Sequence, residues 1–207
     1  MVEQSPTGEL EVLQGKSTYS FAGNWKLQNE NGVDGYHVST VHYNYVTTVQ
    51  YRQQLNAEKG TGPKDTLDYS KLGAGDDSTD DGWFSFKNGH NVLFSDMPNP
   101  TVRPGYATVM PYLVEKYGLE RAEWAMHRLR NLNLYPSLFF MDQISSQLRI
   151  VRPVAWNKTE VVSQCIGVKG ESAEARRNRI RQFEDFFNVS GAMFVQQEAP
   201  QSMQGSA

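Results

Sequence analysis

Cysteine is nearly absent: Cys165 is the single thiol in 207 residues. That excludes an internal disulfide framework and suits a reducing cytoplasm. In the apolar stretch from Val161 to Val168 the thiol is expected to be a small buried hydrophobe. Long hydrophobic runs are missing too, so no membrane span is expected, and Met1 to Leu10 is too polar for a signal peptide. Nor does one sign of charge dominate. The 20 Lys and Arg against 23 Asp and Glu leave a net charge of −3, which argues against a nucleic-acid binder working through a broad basic surface. The length and a hydrophobic content of 39% fit one domain with a substantial core.

Histidine is also scarce, with 4 in the chain, yet two of them stand close together. In the run Asn31-Gly-Val-Asp34-Gly-Tyr-His37-Val-Ser-Thr-Val-His42, neutral imidazoles are good borderline ligands for Fe(II), and an Asp one turn upstream offers a carboxylate to orient a ring. This points to a mononuclear iron site. In a regular helix, residues five apart diverge by about 140°, so the two rings can meet at one ion only across a helix end or a widened turn. Gly32 and Gly35 loosen the backbone before His37. Asp34 and His37 share a helical face, with Asn31 one turn earlier. Two ordinary histidines near a helix end would give the same pattern, since two ligands do not complete a site. Asp34 by itself reads equally as a structural cap, and Tyr36 as a packing residue.

Residues 9–22 predict one or two short strands, and 24–46 a helix that becomes irregular. A long loop is expected over 56–82, with Asp76, Asp77, Asp80 and Asp81 as solvated acids rather than a cation site, because their spacing does not alternate as in an EF-hand. Asn88-Gly89 predicts a type I′ hairpin between 83–87 and 90–95. If Lys87 faces His90, Trp83 and Phe94 share one face while Phe84 and Leu93 share the other. Both faces then carry large apolar groups, so the sheet is expected to be covered on both sides. A helix is predicted over 111–130, with His127 solvated, then strands near 132–141, 147–152 and 160–168. A closing helix over 173–188 has Ser172 as its N-cap and Ile180, Phe183 and Phe187 on one face. Its arginines, Arg176, Arg177, Arg179 and Arg181, read as a charged solvent face. The order of elements is α+β.

Several segments together resemble one family. Asn24-Trp25-Lys26-Leu27, Glu30-Asn31, Asp34-Gly35-Tyr36-His37 and His42 are similar to the catalytic-domain signature of the α (large) subunits of Rieske-type aromatic-ring-hydroxylating dioxygenases. Gln4-Ser5-Pro6, Glu11-Val12-Leu13, Tyr135-Pro136, Met141-Asp142-Gln143 and Phe183 to Gly191 extend the likeness from about Val2 to Gly191. The benzoate, toluate and anthranilate group is the most similar, and residues 83–100 and 154–170 look most like its anthranilate members.

That resemblance implies a helix-grip (START-like) fold, with a curved antiparallel sheet around a long C-terminal helix. It implies a catalytic mononuclear-iron domain over 1–191, expected to be incomplete, followed by an atypical polar tail over 192–207, expected to be disordered. His37 and His42 would be iron ligands, Asp34 the bridge toward an electron-donating cluster, and Asn31 a residue just behind the ligands. The implied reaction is dihydroxylation of an aromatic carboxylate by O₂, anthranilate giving catechol, CO₂ and ammonia. Benzoate, toluate or a metal-free module binding an aromatic ligand are the alternatives. The implied partners are a small β subunit, neighbouring α subunits and an NADH-dependent reductase, with no nucleic acid and no membrane.

A Rieske 2Fe–2S centre takes two Cys and two His, which one cysteine cannot supply, so that cluster is not expected on this chain. The family's third iron ligand, a carboxylate, comes shortly after the Asn188-Val-Ser-Gly191 segment. Here no Asp follows Asp185, and Glu198 is the last acid, leaving the third ligand unassigned. Asp142, after the apolar run Leu138 to Met141, is a substitute candidate, although the family places the ligand elsewhere. The chain alone is expected not to turn over.

Overall fold

The computed structural model describes residues 1–37, 42–59, 80–97, 99–143 and 145–187. Strands β1 (Leu10–Val12) and β2 (Ser17–Phe21) lead into helix α1 (Trp25–Asn31), and helix α2 (Tyr43–Lys59) follows the histidine motif. Next come β3 (Gly82–Ser85), β4 (Asn91–Asp96), helices α3 (Tyr106–Tyr117) and α4 (Leu119–Met126), strands β5 (Arg128–Leu134), β6 (Leu138–Asp142), β7 (Ser146–Ala155) and β8 (Lys158–Val168), and the closing helix α5 (Ala173–Phe187). One antiparallel sheet runs β1-β8-β7-β6-β5-β4-β3, with β2 pairing further along β8. The architecture is the expected α+β sheet with a long helix after its last strand.

Core and helix meet on one face of that sheet. Leu129, Phe139, Met141, Val151 and Cys165 cluster with Phe183, Phe186 and Phe187 of α5, and with Trp25 and Val33 from around α1. Cys165 is buried, as its apolar surroundings required. The opposite face carries a second cluster, Leu113 of α3 with Ala122, Ala125 and Met126 of α4. The Phe94–Trp124 ring contact, with centroids 5.1 Å apart, ties β4 to it. That cover is partial: Trp83 and Phe84 of β3 stay 69% and 50% exposed, so the expected cover on both sides of the hairpin is not met among the described residues.

Several expectations are corrected. The single helix over 111–130 is two helices, broken at Gly118, whose φ of +84° is a left-handed value that glycine alone adopts readily. The strand over 132–141 is β5 and β6 separated by a turn. Asn88 and Gly89 do take positive φ, +65° and +80°, but the loop is Lys87-Asn88-Gly89 and Phe86 donates to the His90 carbonyl at 2.8 Å. The register slides by one residue, and a one-residue slip exchanges faces. Trp83 pairs with Leu93, while Phe84 and Phe94 stack on the other side at 5.3 Å. His127 is half-buried and stacked on Tyr106, with Nε2 2.8 Å from the tyrosine hydroxyl.

On α5, Ser172 caps the helix, its Oγ accepting from the Ala175 N–H at 3.1 Å. Ile180, however, is 38% exposed, and Arg179 leaves the solvent face. It is buried against Glu171, with Nη2 2.9 Å from Oε2. The start of the loop expected from residue 56 is helical, because α2 runs to Lys59. Residues 60–79, and with them Asp76 and Asp77, lie outside the described part, as does the tail.

Local sequence sets α1 over the sheet. The Asn24 side chain accepts from the Lys26 N–H at 3.1 Å, an N-cap, and the helix ends at Gly32. A Cβ on Gly32 would lie 2.5 Å from Cε1 and 2.9 Å from Cζ of Phe139, a wholly buried ring. Gly32→Ala is expected to cost about 1–3 kcal/mol by overpacking. A urea-denaturation midpoint equal to that of the native chain would contradict this close approach.

Candidate metal centre

His37 follows the end of α1 and His42 precedes the start of α2, residues 38–41 lying outside the described part, and their imidazoles converge. The two Nε2 atoms are 3.0 Å apart, with ring centroids 4.8 Å apart and planes 74° from parallel.

Asp34 orders the first ring. Its Oδ1 lies 2.5 Å from His37 Nδ1 and also accepts the His37 backbone N–H at 3.2 Å. A carboxylate there holds the proton on Nδ1 and leaves the Nε2 lone pair facing His42. His42 is 3% exposed. Burial first, then the neighbouring His37 and Arg149, pushes its imidazole down to about 3, so the ring is neutral, as a metal ligand must be. Its Nδ1 is buried with no hydrogen-bond partner among the described residues.

Two nitrogens 3.0 Å apart can both reach one ion at about 2.1 Å, which makes an N–metal–N angle of about 90°. That is the angle between adjacent positions of an octahedral or facial site. Iron, which the motif implies, fits the pair in donor type, protonation and spacing. Among the described residues, no group of three or more His, Cys, Asp or Glu stands together to hold an ion. The expected location of the third carboxylate, after residue 187, lies outside the described part.

Asn31, the last residue of α1, accepts from Gln28 Nε2 at 3.5 Å, and Gln28 in turn accepts from the Tyr19 hydroxyl at 3.1 Å. The motif is thereby tied to β2. Tyr36, expected to pack, is 74% exposed.

Asp142 is placed differently from a spare ligand. It is 3% exposed, with Oδ1 2.7 Å from Arg103 Nη1 and Oδ2 3.0 Å from Arg130 Nη2. Gln4 Nε2 adds a hydrogen bond at 3.2 Å and Ser146 Oγ one at 3.4 Å. Burial alone would raise this carboxyl, but the two guanidinium groups overcome it and hold it well below the usual carboxylate range. A carboxylate committed to two arginines is a structural anion. The sequence showed its burial but gave no sign of which cations it meets.

Sequence reasoning missed three polar side chains on the face that α1 covers: Asn133, Gln147 and Arg149, at most 6% exposed. The alternation in Leu132-Asn133-Leu134 and in Gln147-Leu148-Arg149-Ile150 was the available signal.

A family model described as ring hydroxylating alpha subunit (catalytic domain) matches residues 10–199. The large subunit of anthranilate 1,2-dioxygenase from Acinetobacter baylyi is 88% identical over 191 residues, 92% of this chain and 40% of that protein. Subunit alpha of toluate 1,2-dioxygenase from Pseudomonas putida is 47% identical over 191 residues, again 92% of this chain and 40% of that protein. The chain therefore spans about two-fifths of the length of these curated relatives. Among solved structures, naphthalene 1,2-dioxygenase with indole bound in its active site superposes with a TM-score of 0.67 at 18% identity, covering 97% of this chain and 44% of that one. The fold is shared.

Proposed function

The chain belongs to the ring-hydroxylating α-subunit family, in its catalytic domain, and from that premise we propose that it provides the mononuclear iron site for dihydroxylating an aromatic carboxylate, anthranilate in the first instance. The convergence of His37 Nε2 and His42 Nε2 carries this reading. Its substrate is supported by the 88% identity to an anthranilate dioxygenase subunit. In this proposal residues 1–191 act as the catalytic domain, and the whole reaction converts anthranilate to catechol, CO₂ and ammonia. Electrons come from NADH through a reductase and the Rieske cluster of a neighbouring α subunit, with a small β subunit in the assembly.

Fe(II), when bound, supplies the capacity to activate O₂ beside the aromatic ring. The protein's own contribution is legible residue by residue. His37 and His42 hold the ion through Nε2. Asp34 keeps the proton at His37 Nδ1, so the ring cannot turn its N–H toward the metal, and the resemblance supports the same carboxylate as the contact toward the neighbouring cluster. Burial of His42 keeps bulk water from one side of the site.

The test is iron itself. Under argon, the chain is expected to take up one Fe(II), and Asp34→Ala to weaken that binding about 10–100-fold, the usual cost of losing the partner that orients a ligand histidine. With the complete α subunit, β subunit and reductase, NADH-dependent catechol should form from anthranilate only when iron is present. Iron-independent turnover, or a chain that binds no iron, would sink the proposal.

A further inference from the structure

Strands β5 and β7 bury the wrong residues for an apolar core. In β5, Asn131 and Asn133 are buried while Leu132 and Leu134 are only half-buried; in β7, Gln147 and Arg149 are buried while Leu148 and Ile150 are half-buried. Alternation normally puts the leucines inward. The inversion places polar groups on the face that also carries Phe139, Met141 and Cys165.

Register assembles them into rows. Asn133 pairs with Phe139, and Phe139 with Arg149; Asn131 pairs with Met141, and Met141 with Gln147. Arg149 and Asn133 are two strand spacings apart, about 10 Å, with an aromatic ring between them. This face lies beneath the histidine motif. Asn131 Nδ2 donates to the Gly32 carbonyl at 3.1 Å, and the Phe139 ring packs against Gly32.

Several polar atoms on this face lack partners among the described residues. Both amide atoms of Asn133, Oε1 of Gln147 and Nε of Arg149 are buried without a hydrogen bond among the described residues. The guanidinium is the telling one. Arg103 and Arg179, as deeply buried, each carry a carboxylate, Asp142 and Glu171. Arg149, 6% exposed, has no carboxylate partner among the described residues; it lies 5.8 Å from the Phe187 ring centroid, and its charge also acts on the imidazole of His42. An unpaired buried cation costs several kcal/mol, so this one calls for an anion from outside the described fold.

We propose that Arg149 is the receptor for the carboxylate of an aromatic acid lying over Phe139, with the amide oxygens of Asn133 and Gln147 accepting from a ring amino group. The inference rests on the aromatic-carboxylate reading above and adds the side chains that select it. A forked guanidinium matches a planar carboxylate with two parallel hydrogen bonds. Carboxylate and ortho-amino group, on neighbouring carbons of one ring, would then be read by different residues.

Calorimetry on the 207-residue chain, with and without Fe(II) under argon, tests this with anthranilate, benzoate and the neutral amide anthranilamide. Arg149→Gln is expected to weaken anthranilate and benzoate by at least about 30-fold, and to leave anthranilamide unchanged. Arg149→Lys should recover part of the loss. Because the cation is unpaired, Arg149→Gln should also raise the melting temperature of the ligand-free chain, whereas a structural arginine would lower it. Asn133→Leu and Gln147→Met should erase a preference for anthranilate over benzoate. The assignment is overturned if the native chain binds no aromatic acid, if Arg149→Gln keeps its anthranilate affinity, or if that variant melts earlier; a preference surviving both amide variants overturns the amino-group half. Iron content separates the two claims. A chain without iron that still loses anthranilate in Arg149→Gln refutes the dioxygenase reading alone, and one with histidine-bound iron but unchanged anthranilate affinity refutes this inference alone.

Discussion

Iron bound by the native chain is expected to be absent from His42→Ala and from His37→Ala when each is purified anaerobically and assayed for metal. Either change removes one of two nitrogens that stand 3.0 Å apart. A single imidazole offers no chelate, so the loss should exceed the about 10–100-fold that follows removal of an orienting partner. The two variants should nonetheless differ in stability. His37 is tied to Asp34 by its ring and its backbone N–H, so His37→Ala frees a carboxylate that then faces solvent. His42 is buried, with Nδ1 unpartnered among the described residues. Its removal takes an unsatisfied polar atom out of the interior, which offsets part of the cavity left behind. His42→Ala should therefore unfold in urea near the native midpoint while binding no iron. Retention of stoichiometric iron by both variants would refute the site.

The histidine pair could be read in the sequence because its spacing and its Asp are local, and local geometry at a helix end is a matter of a few residues. The hairpin was legible for the same reason, down to the positive φ of Asn88 and Gly89. Its register was not, because a three-residue loop and a two-residue turn share the Asn-Gly signal but differ by one in pairing, and that difference moved Phe94 from the side of Trp83 to the side of Phe84. The helix break at Gly118 was hidden because apolar periodicity continues on both sides of it, through Leu113 and then Ala122. Buried arginines were the least visible. Arg103, Arg149 and Arg179 are all 6% exposed or less, but a charged side chain reads as solvent-facing until its counter-ion is known. Those of Arg103 and Arg179 lie 39 and 8 residues away in sequence. Only the inverted alternation of β5 and β7 spoke for a polar interior.

Asp142→Ala is expected to destabilise the chain by about 3–5 kcal/mol, the cost of stripping a buried ion pair of one partner. At about 2–4 °C per kcal/mol for a domain of this size, the melting temperature should fall by about 6–20 °C. The carboxylate closes a junction between distant segments. Arg103 also donates through Nε to the Met126 carbonyl at 2.7 Å, and Arg130 to the Ala125 carbonyl at 2.5 Å, so the end of α4 is held on β5 and β6 through these two cations. Without the anion, two guanidinium groups face each other across a dry site. Asp142→Asn keeps the shape and removes the charge, and pH separates the two contributions. The folded carboxyl is held below its ordinary value by Arg103 and Arg130 against the opposing effect of burial, while the unfolded one titrates near about 3.9. Its stabilisation is thus fully present above about pH 4 and is lost as the pH falls through the lower, folded value. The stability gap between the native chain and Asp142→Asn, taken from urea denaturation, should be wide at pH 7 and should narrow as the pH drops below 4. A gap that stays constant from pH 7 to pH 3 would mean that the charge of Asp142 contributes nothing, and that its hydrogen bonds to Gln4 and Ser146 account for its place in the fold.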